Sequence, residues 1–184
     1  MGRKKRIWIS QCYYHIVSRG NRRDPLFIDI HDFEAFFHIL RQVHEKTPFS
    51  LASYCLMTNH YHLQLRSSNQ PVSKVMSLIN KRYATYYNTR YRLSGHVFEK
   101  RFYDKAIETK EGMLEVSRYI HLNPVRANMI KVPEQYAWSS FRFYISSFEK
   151  EQPYMDWEVL LDYYSGDLRE KQQKYYEFVR QEME

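Results

Sequence analysis

The sequence predicts an α+β fold, a ferredoxin-like or RRM-like antiparallel sheet with helices packed on one face, plus C-terminal helices. Three observations predict it. Residues alternate in strand fashion over 11–19, Leu51 to Met57 is apolar and aromatic enough to be a buried strand, Leu63 and Leu65 resume a period of two, and a fourth strand is read near 103–107. Two intervening stretches, 29–46 and 71–90, instead carry apolar residues at the three-four spacing of amphipathic helices. The resulting order is strand, helix, strand, strand, helix, strand, helix, that of a split βαβ unit followed by one more helix.

Each element has its own local signals. In the first strand Tyr13, His15 and Val17 alternate with Tyr14, Ile16 and Ser18, and Gly20-Asn21 ends it; Arg19, Arg22 and Arg23 cluster at its exit. The alternation lets His15 share a face with other histidines, but it is read as a satisfied structural histidine. Asp29 to Lys46 carries Phe33, Phe36, Phe37, Leu40 and Val43 on one side and stops at Thr47-Pro48. Leu51 to Leu65 reads as a hairpin turning at Thr58-Asn59. Pro71 precedes the second helix, whose stripe of Val72, Val75, Met76, Ile79, Tyr83, Tyr86 and Tyr87 is read as core. On its other side Lys81, Arg82, Arg90 and Arg92 are either phosphate contacts or a solvated face. Gly95 opens a loop into the fourth strand. Thr109 is placed to cap a third helix with Met113, Leu114, Val116 and Ile120 buried. That helix is expected to stop near Asn123, because proline at 124 disfavours helical geometry in the residue before it. Trp138-Ser139-Ser140-Phe141 reads as the cap of a short helix, and 156–164 and 167–183 as two more. Residues 1–150 are therefore expected to form one domain, with a basic arm over 1–10, and 151–184 a helical extension.

Composition narrows the partner. The 184-residue chain has a net charge of +7 and an aromatic content of 17%, with 17 tyrosines. Positive charge beside flat rings suits a polyanion whose bases can stack, because phosphates release counterions and unpaired bases find π-faces. Tyrosine is equally an ordinary core residue. Arg3, Lys4, Lys5 and Arg6 form a basic arm that is either a phosphate grip or a solubilising terminus. Cys12 and Cys55 sit in apolar runs without metal or disulfide spacing, so reduced core thiols in a cytoplasmic protein are expected. No apolar run approaches the roughly 20 residues of a membrane span. No membrane partner is expected.

The chemistry concentrates in two places. In Thr58-Asn59-His60-Tyr61-His62-Leu63-Gln64-Leu65, residues two apart in a strand face the same way, so His60 and His62 present neighbouring imidazoles while Tyr61, Leu63 and Leu65 enter the core. Two held neutral imidazoles are half of a metal site, or else a histidine pair on a solvated face. In Ser117-Arg118-Tyr119-Ile120-His121-Leu122-Asn123-Pro124-Val125-Arg126, Tyr119 and Asn123 lie four apart on one helical face, with Arg118 and Arg126 on either side. Spacing alone does not distinguish Tyr119 from a core aromatic, or Asn123 from a residue bonding its own backbone.

Three separated stretches, Tyr14-His15-Ile16-Val17-Ser18-Arg19-Gly20-Asn21, Met57-Thr58-Asn59-His60-Tyr61-His62-Leu63 and Tyr119-Ile120-His121-Leu122-Asn123-Pro124-Val125-Arg126-Ala127, together resemble the single-tyrosine HUH transposases, and within them the REP-associated tyrosine transposase branch. The resemblance implies a ferredoxin-like fold, a divalent cation on His60 and His62, Tyr119 as nucleophile and Asn123 as a third metal ligand. Related insertion-sequence transposases typically carry the longer Gln at that last place. Imidazole ligands alone lean towards zinc or another transition metal, whereas the resemblance implies Mg2+ or Mn2+. It further implies single-stranded or hairpin DNA as partner and a transposase-like cut, in which the tyrosine takes over a 5′ phosphate, the 3′ hydroxyl leaves, and a second 3′ hydroxyl reverses the step. Phosphate contacts are expected from Arg3, Lys4, Lys5, Arg6, Arg19, Arg22, Arg23, Lys81, Arg82, Arg118 and Arg126. Two other readings stand beside this one: a metal-dependent nuclease in which water attacks, and a non-catalytic nucleic-acid-binding module. Relaxases share the histidine pair but commonly carry the tyrosine ahead of it. The chain is compatible with a monomer or a homodimer.

Overall fold

The structure, a computed structural model, describes residues 8–146 and 152–183. Strands β1 (Tyr13–Arg19), β2 (Ser50–Met57), β3 (His60–Arg66) and β4 (Tyr103–Ile107) form one sheet in the order β2-β3-β1-β4, and every neighbouring pair is antiparallel. Helix α1 (Ile30–Lys46) links β1 to β2 and helix α2 (Val72–Tyr91) links β3 to β4. That is the ferredoxin-like arrangement expected from the element order. The β2-β3 connection is the two-residue turn Thr58-Asn59, which pairs Met57 with His60 and thereby fixes which residues of β3 face each way.

Alternation divides the strands between two cores. Tyr14 and Ile16 of β1, Leu51, Tyr54 and Leu56 of β2, and Tyr61, Leu63 and Leu65 of β3 pack against Phe33, Phe36 and Leu40 of α1 and Val75, Ile79 and Tyr83 of α2. Asp29 starts α1 by accepting from the His31 amide at 2.9 Å, and Asp32 closes the capping box. The opposite face is covered by helix α3 (Lys110–Arg126), capped by Thr109, which accepts from the Gly112 amide at 3.0 Å. Thus α1 and α2 take the one face expected for them, and α3 takes the other.

Helix α3 does not stop at Asn123 but runs through Pro124 to Arg126. The proline ring has a helix-compatible φ and is buried, and the chain beyond it closes the end: the amides of Ala127, Asn128 and Met129 reach the carbonyls of Asn123, Val125 and Pro124 at 2.9 Å each. Short helices α4 (Arg142–Ile145) and α5 (Glu158–Leu161) and the longer α6 (Leu168–Arg180) follow. Tyr175 and Val179 of α6 enter a second core with Tyr13, Met113, Leu122, Phe141 and Tyr144. The Tyr175 hydroxyl lies 2.9 Å from both Ser117 Oγ and His121 Nδ1, binding α6 to α3. The extension after residue 150 is therefore continuous with the domain's packing. The free edge of β2 is covered by bonds to Trp138, Ser140, Tyr154 and Asp156, which leaves it no open ladder. Cys12 and Cys55 are free thiols. No described helix is long and apolar enough to cross a membrane.

Candidate active site

On the α3 face of the sheet, β3 presents His60, His62 and Gln64, and β1 runs beside it with Val17 opposite His62 and Arg19 opposite His60. His15, two residues along the same face, places Nε2 3.0 Å from Nδ1 of His62, with the rings stacked at 5.3 Å. The His60 ring stands edge-on to His62 at 5.0 Å, and its Nδ1 lies 2.8 Å from Asn59 Oδ1 in the turn. Helix α3 packs across β2 and β3 and brings Tyr119 edge-on to His62 at 5.5 Å and to His15 at 5.7 Å. The phenol stays 41% exposed. One turn later the amide nitrogen of Asn123 donates to the Tyr119 carbonyl at 3.1 Å, leaving the amide oxygen to face His60. Residues from three distant segments thus meet at one corner of the sheet.

Electrostatics keep the imidazoles uncharged. Burial, then the Lys105 charge, lowers the pKa of His15 to about 4. For His60, burial and then Arg19 lower it to about 4 against the opposing effect of the Asn123 bond. His62 is pushed well below its usual value by burial, then by His60, His15 and Arg19. At neutral pH all three are lone-pair donors.

Two features of this set fit a cation. His62 is 3% exposed and its Nε2 is a buried nitrogen with no hydrogen-bond partner. His60 lies between the oxygens of Asn59 and Asn123, so in its neutral form one oxygen faces a lone pair unless a positive ion stands between them. Among the described residues no group of three or more His, Cys, Asp or Glu is arranged to hold a metal. An ion here is left with two imidazoles, the Asn123 oxygen and oxygens from elsewhere.

The basic residues fall into three groups. Arg19, Arg22 and Arg23 are exposed at the His60 end of the sheet; Arg22 and Arg23 have φ of 53° and 65°, and the Arg23 carbonyl accepts from Asn59 Nδ2 at 3.2 Å. Arg126 stacks over the Tyr119 ring at 5.1 Å and is ion-paired with Glu182; Arg118 pairs with Glu115 at 2.5 Å and Glu182 at 3.1 Å and lies 4.4 Å over Phe178. Lys81 and Arg82 are on α2, across the sheet from the histidines, and Arg82 donates to Gln42 at 2.9 Å. The structure does not bring that pair to the site. Arg3, Lys4, Lys5 and Arg6 lie outside the described residues.

Sequence reasoning set His15 apart as structural; its place beside His62 was legible in the period-two alternation. Tyr103 and Lys105 of β4 were missed as site residues. Together with His15, Tyr119, Arg126 and Glu182 they line a cleft of about 730 Å3 beside the phenol. Glu182 had no sequence signal, because its position depends on how α6 docks.

Comparison with known proteins gives the same corner of the fold a context. Residues 8–123 match the family model described as transposase, IS200-like. The solved REP-associated tyrosine transposase bound to a REP hairpin shares the fold with a TM-score of 0.68 at 18% identity, over 91% of this chain and 93% of that one. A further solved chain, from Deinococcus radiodurans R1 and described as a candidate transposase, is 13% identical over 70% of this chain and 92% of its own, with a TM-score of 0.45 that supports no argument. No curated protein matches the sequence.

Proposed function

The chain belongs to the IS200-like transposase family, and from that premise we propose that it cuts and rejoins single-stranded DNA near hairpins, with Tyr119 as the nucleophile. The observation that carries the proposal is the convergence of an exposed phenol on the histidine pair, 5.5 Å from the buried His62, all from one chain. That convergence also supports a site complete within a monomer. The fold shared with a transposase bound to a REP hairpin supports the REP-associated branch and a hairpin as the DNA recognised.

The Tyr119 oxygen attacks phosphorus, forming one P–O bond as the bond to the 3′ oxygen breaks. The phenol proton passes to solvent and the departing 3′ oxygen takes one up. The product is a 5′-phosphotyrosine, and because one ester replaces another, a second 3′ hydroxyl reverses the step without an energy source. His60, His62 and the Asn123 oxygen would hold a divalent cation, Mg2+ or Mn2+. When bound, such an ion supplies Lewis-acid stabilisation of charge on the phosphate. The chain's own groups do the rest. Arg126, over the Tyr119 ring, puts a positive charge beside the attacking residue. Arg19, Arg22 and Arg23 offer charge to the strand that leaves the site past His60.

The test is incubation of the protein with end-labelled hairpin DNA and Mg2+ or Mn2+, followed by denaturing electrophoresis. A denaturation-resistant adduct that maps to Tyr119 and disappears in Tyr119→Phe is expected. Cleavage by Tyr119→Phe at near wild-type rate would assign the attack to water. Binding that survives chelation and loss of both histidines, with no cleavage, would make the protein a binding module.

A further inference from the structure

We propose that His15 is a positioning residue: by accepting a hydrogen bond at Nε2 it fixes the His62 proton on Nδ1 and turns the bare Nε2 lone pair of His62 towards the cation. The inference rests on the reading of His60 and His62 as metal ligands and assigns a role to a third histidine.

A neutral imidazole carries one proton on two nitrogens, and the tautomer decides which nitrogen can ligate. The 3.0 Å contact between His15 Nε2 and His62 Nδ1 requires one of them to donate. If His15 donates, the His62 proton must sit on Nε2, where it is buried with no acceptor and blocks the nitrogen from any ion. If His62 donates, Nε2 is a free lone pair, costly while empty and satisfied by a cation. Only the second arrangement keeps the proton off the buried Nε2 of His62 and leaves that nitrogen able to ligate. His60 is set the same way by a different device. Its Nδ1 faces Asn59 Oδ1, which can only accept, and the orientation of that amide is held by its donation to the Arg23 carbonyl.

The choice of imidazole as the outer partner has a physical reason. Ligating histidines usually give their remote proton to a carboxylate, a carbonyl or water. A carboxylate at position 15 would place a negative charge beneath the spot where a phosphodiester has to approach, within 5.7 Å of the Tyr119 ring. An imidazole, which adds no negative charge, orients His62 through the 3.0 Å contact without that repulsion. The stacked geometry, with 23° between the ring planes, also restricts rotation of His62 about its side chain.

The experiment reads the tautomer directly. In the metal-free protein labelled with 15N at histidine, two-bond proton–nitrogen spectra are expected to show His62 protonated on Nδ1. In His15→Ala the His62 proton is expected to shift to Nε2 or distribute between the two, and Mn2+ affinity by calorimetry to fall about 10–100-fold. His15→Gln, whose amide oxygen can accept in the same place, is expected to restore both readouts. If Mn2+ binds the wild type yet His62 carries its proton on Nε2, or if tautomer and affinity are unmoved in His15→Ala, the role of His15 is overturned and the metal site stands. If the wild type takes up no Mn2+, the metal reading itself falls, and this inference with it. The wild-type tautomer needs no variant, so a poorly folded His15→Ala does not remove the test.

Discussion

The two faces of the sheet are made by the same four strands, one residue out of step, and they end differently. On the α1/α2 face even the buried charge is fully engaged: Asp32, with no exposed surface, accepts from Arg90 at 2.8 Å, Tyr91 at 2.7 Å and the Ile28 amide at 2.7 Å. On the α3 face polar groups also pair, Ser53 with Gln64 at 2.7 Å and Gln64 with the Met113 carbonyl at 3.0 Å, up to the corner where His62 keeps one nitrogen open beside an exposed phenol. A carboxylate closed by its neighbours holds two helices in place. The buried Tyr54 and Tyr154 hydroxyls of the α1/α2 core also lack a partner, but only the open imidazole stands beside an exposed phenol, where a ligand can reach the pair.

The contrast is sharpest when each face is broken in turn. Tyr119→Phe is expected to reduce the covalent DNA adduct to background while changing unfolding free energy by no more than about 0.5 kcal/mol, since its hydroxyl lies at an exposed surface. Phe36→Ala, in the other core, should do the reverse: about 3–5 kcal/mol of stability is lost on denaturant titration, and the molecules that remain folded still form the adduct. A Phe36→Ala protein as stable as the wild type would contradict the division.

Glu182→Gln tests how far the C-terminal end holds the site's charge. It releases Arg126 and one of the two partners of Arg118. Hairpin or single-stranded DNA binding should strengthen at low salt, and the slope of log affinity against log salt should steepen by about 0.7 for each added phosphate contact. An unchanged slope would exclude these arginines from the DNA path.

The α3 face can also be broken with acid. Burial lowers the pKa of His121 to about 3, so the unfolded chain binds its proton first as pH falls. The stability this group contributes is whole above about pH 6.5, its usual value, and is lost progressively as pH falls towards 3. Melting curves of His121→Phe and wild type should converge across that window if the bond to Tyr175 is the structural link between α3 and α6.

Much of this was written in local pattern. The alternation around Thr58-Asn59 located both histidines, and the four-residue spacing put Tyr119 and Asn123 one turn apart on α3, where the Asn123 amide also bonds its own helix backbone. The stop expected at Pro124 failed because burial of the ring and three closing amide bonds outweigh the local preference of the residue before a proline. His15 looked structural because its neighbour in space is 47 residues away. Lys81 and Arg82 looked as well placed for DNA as Arg126, because charge on a helix does not tell which side of the sheet the helix covers.

By itself, then, the sequence determined the order of elements, the face each strand residue takes and the pairs of groups that share an element. These follow from periods of 2 and 3.6 residues, which are properties of the backbone alone. Only the tertiary structure decided that α3 lies on the face opposite α1 and α2, that His15 reaches His62, and that Glu182 returns to Arg118 and Arg126. Such meetings depend on how whole elements pack, and packing energy is spread over many side chains that no short stretch contains.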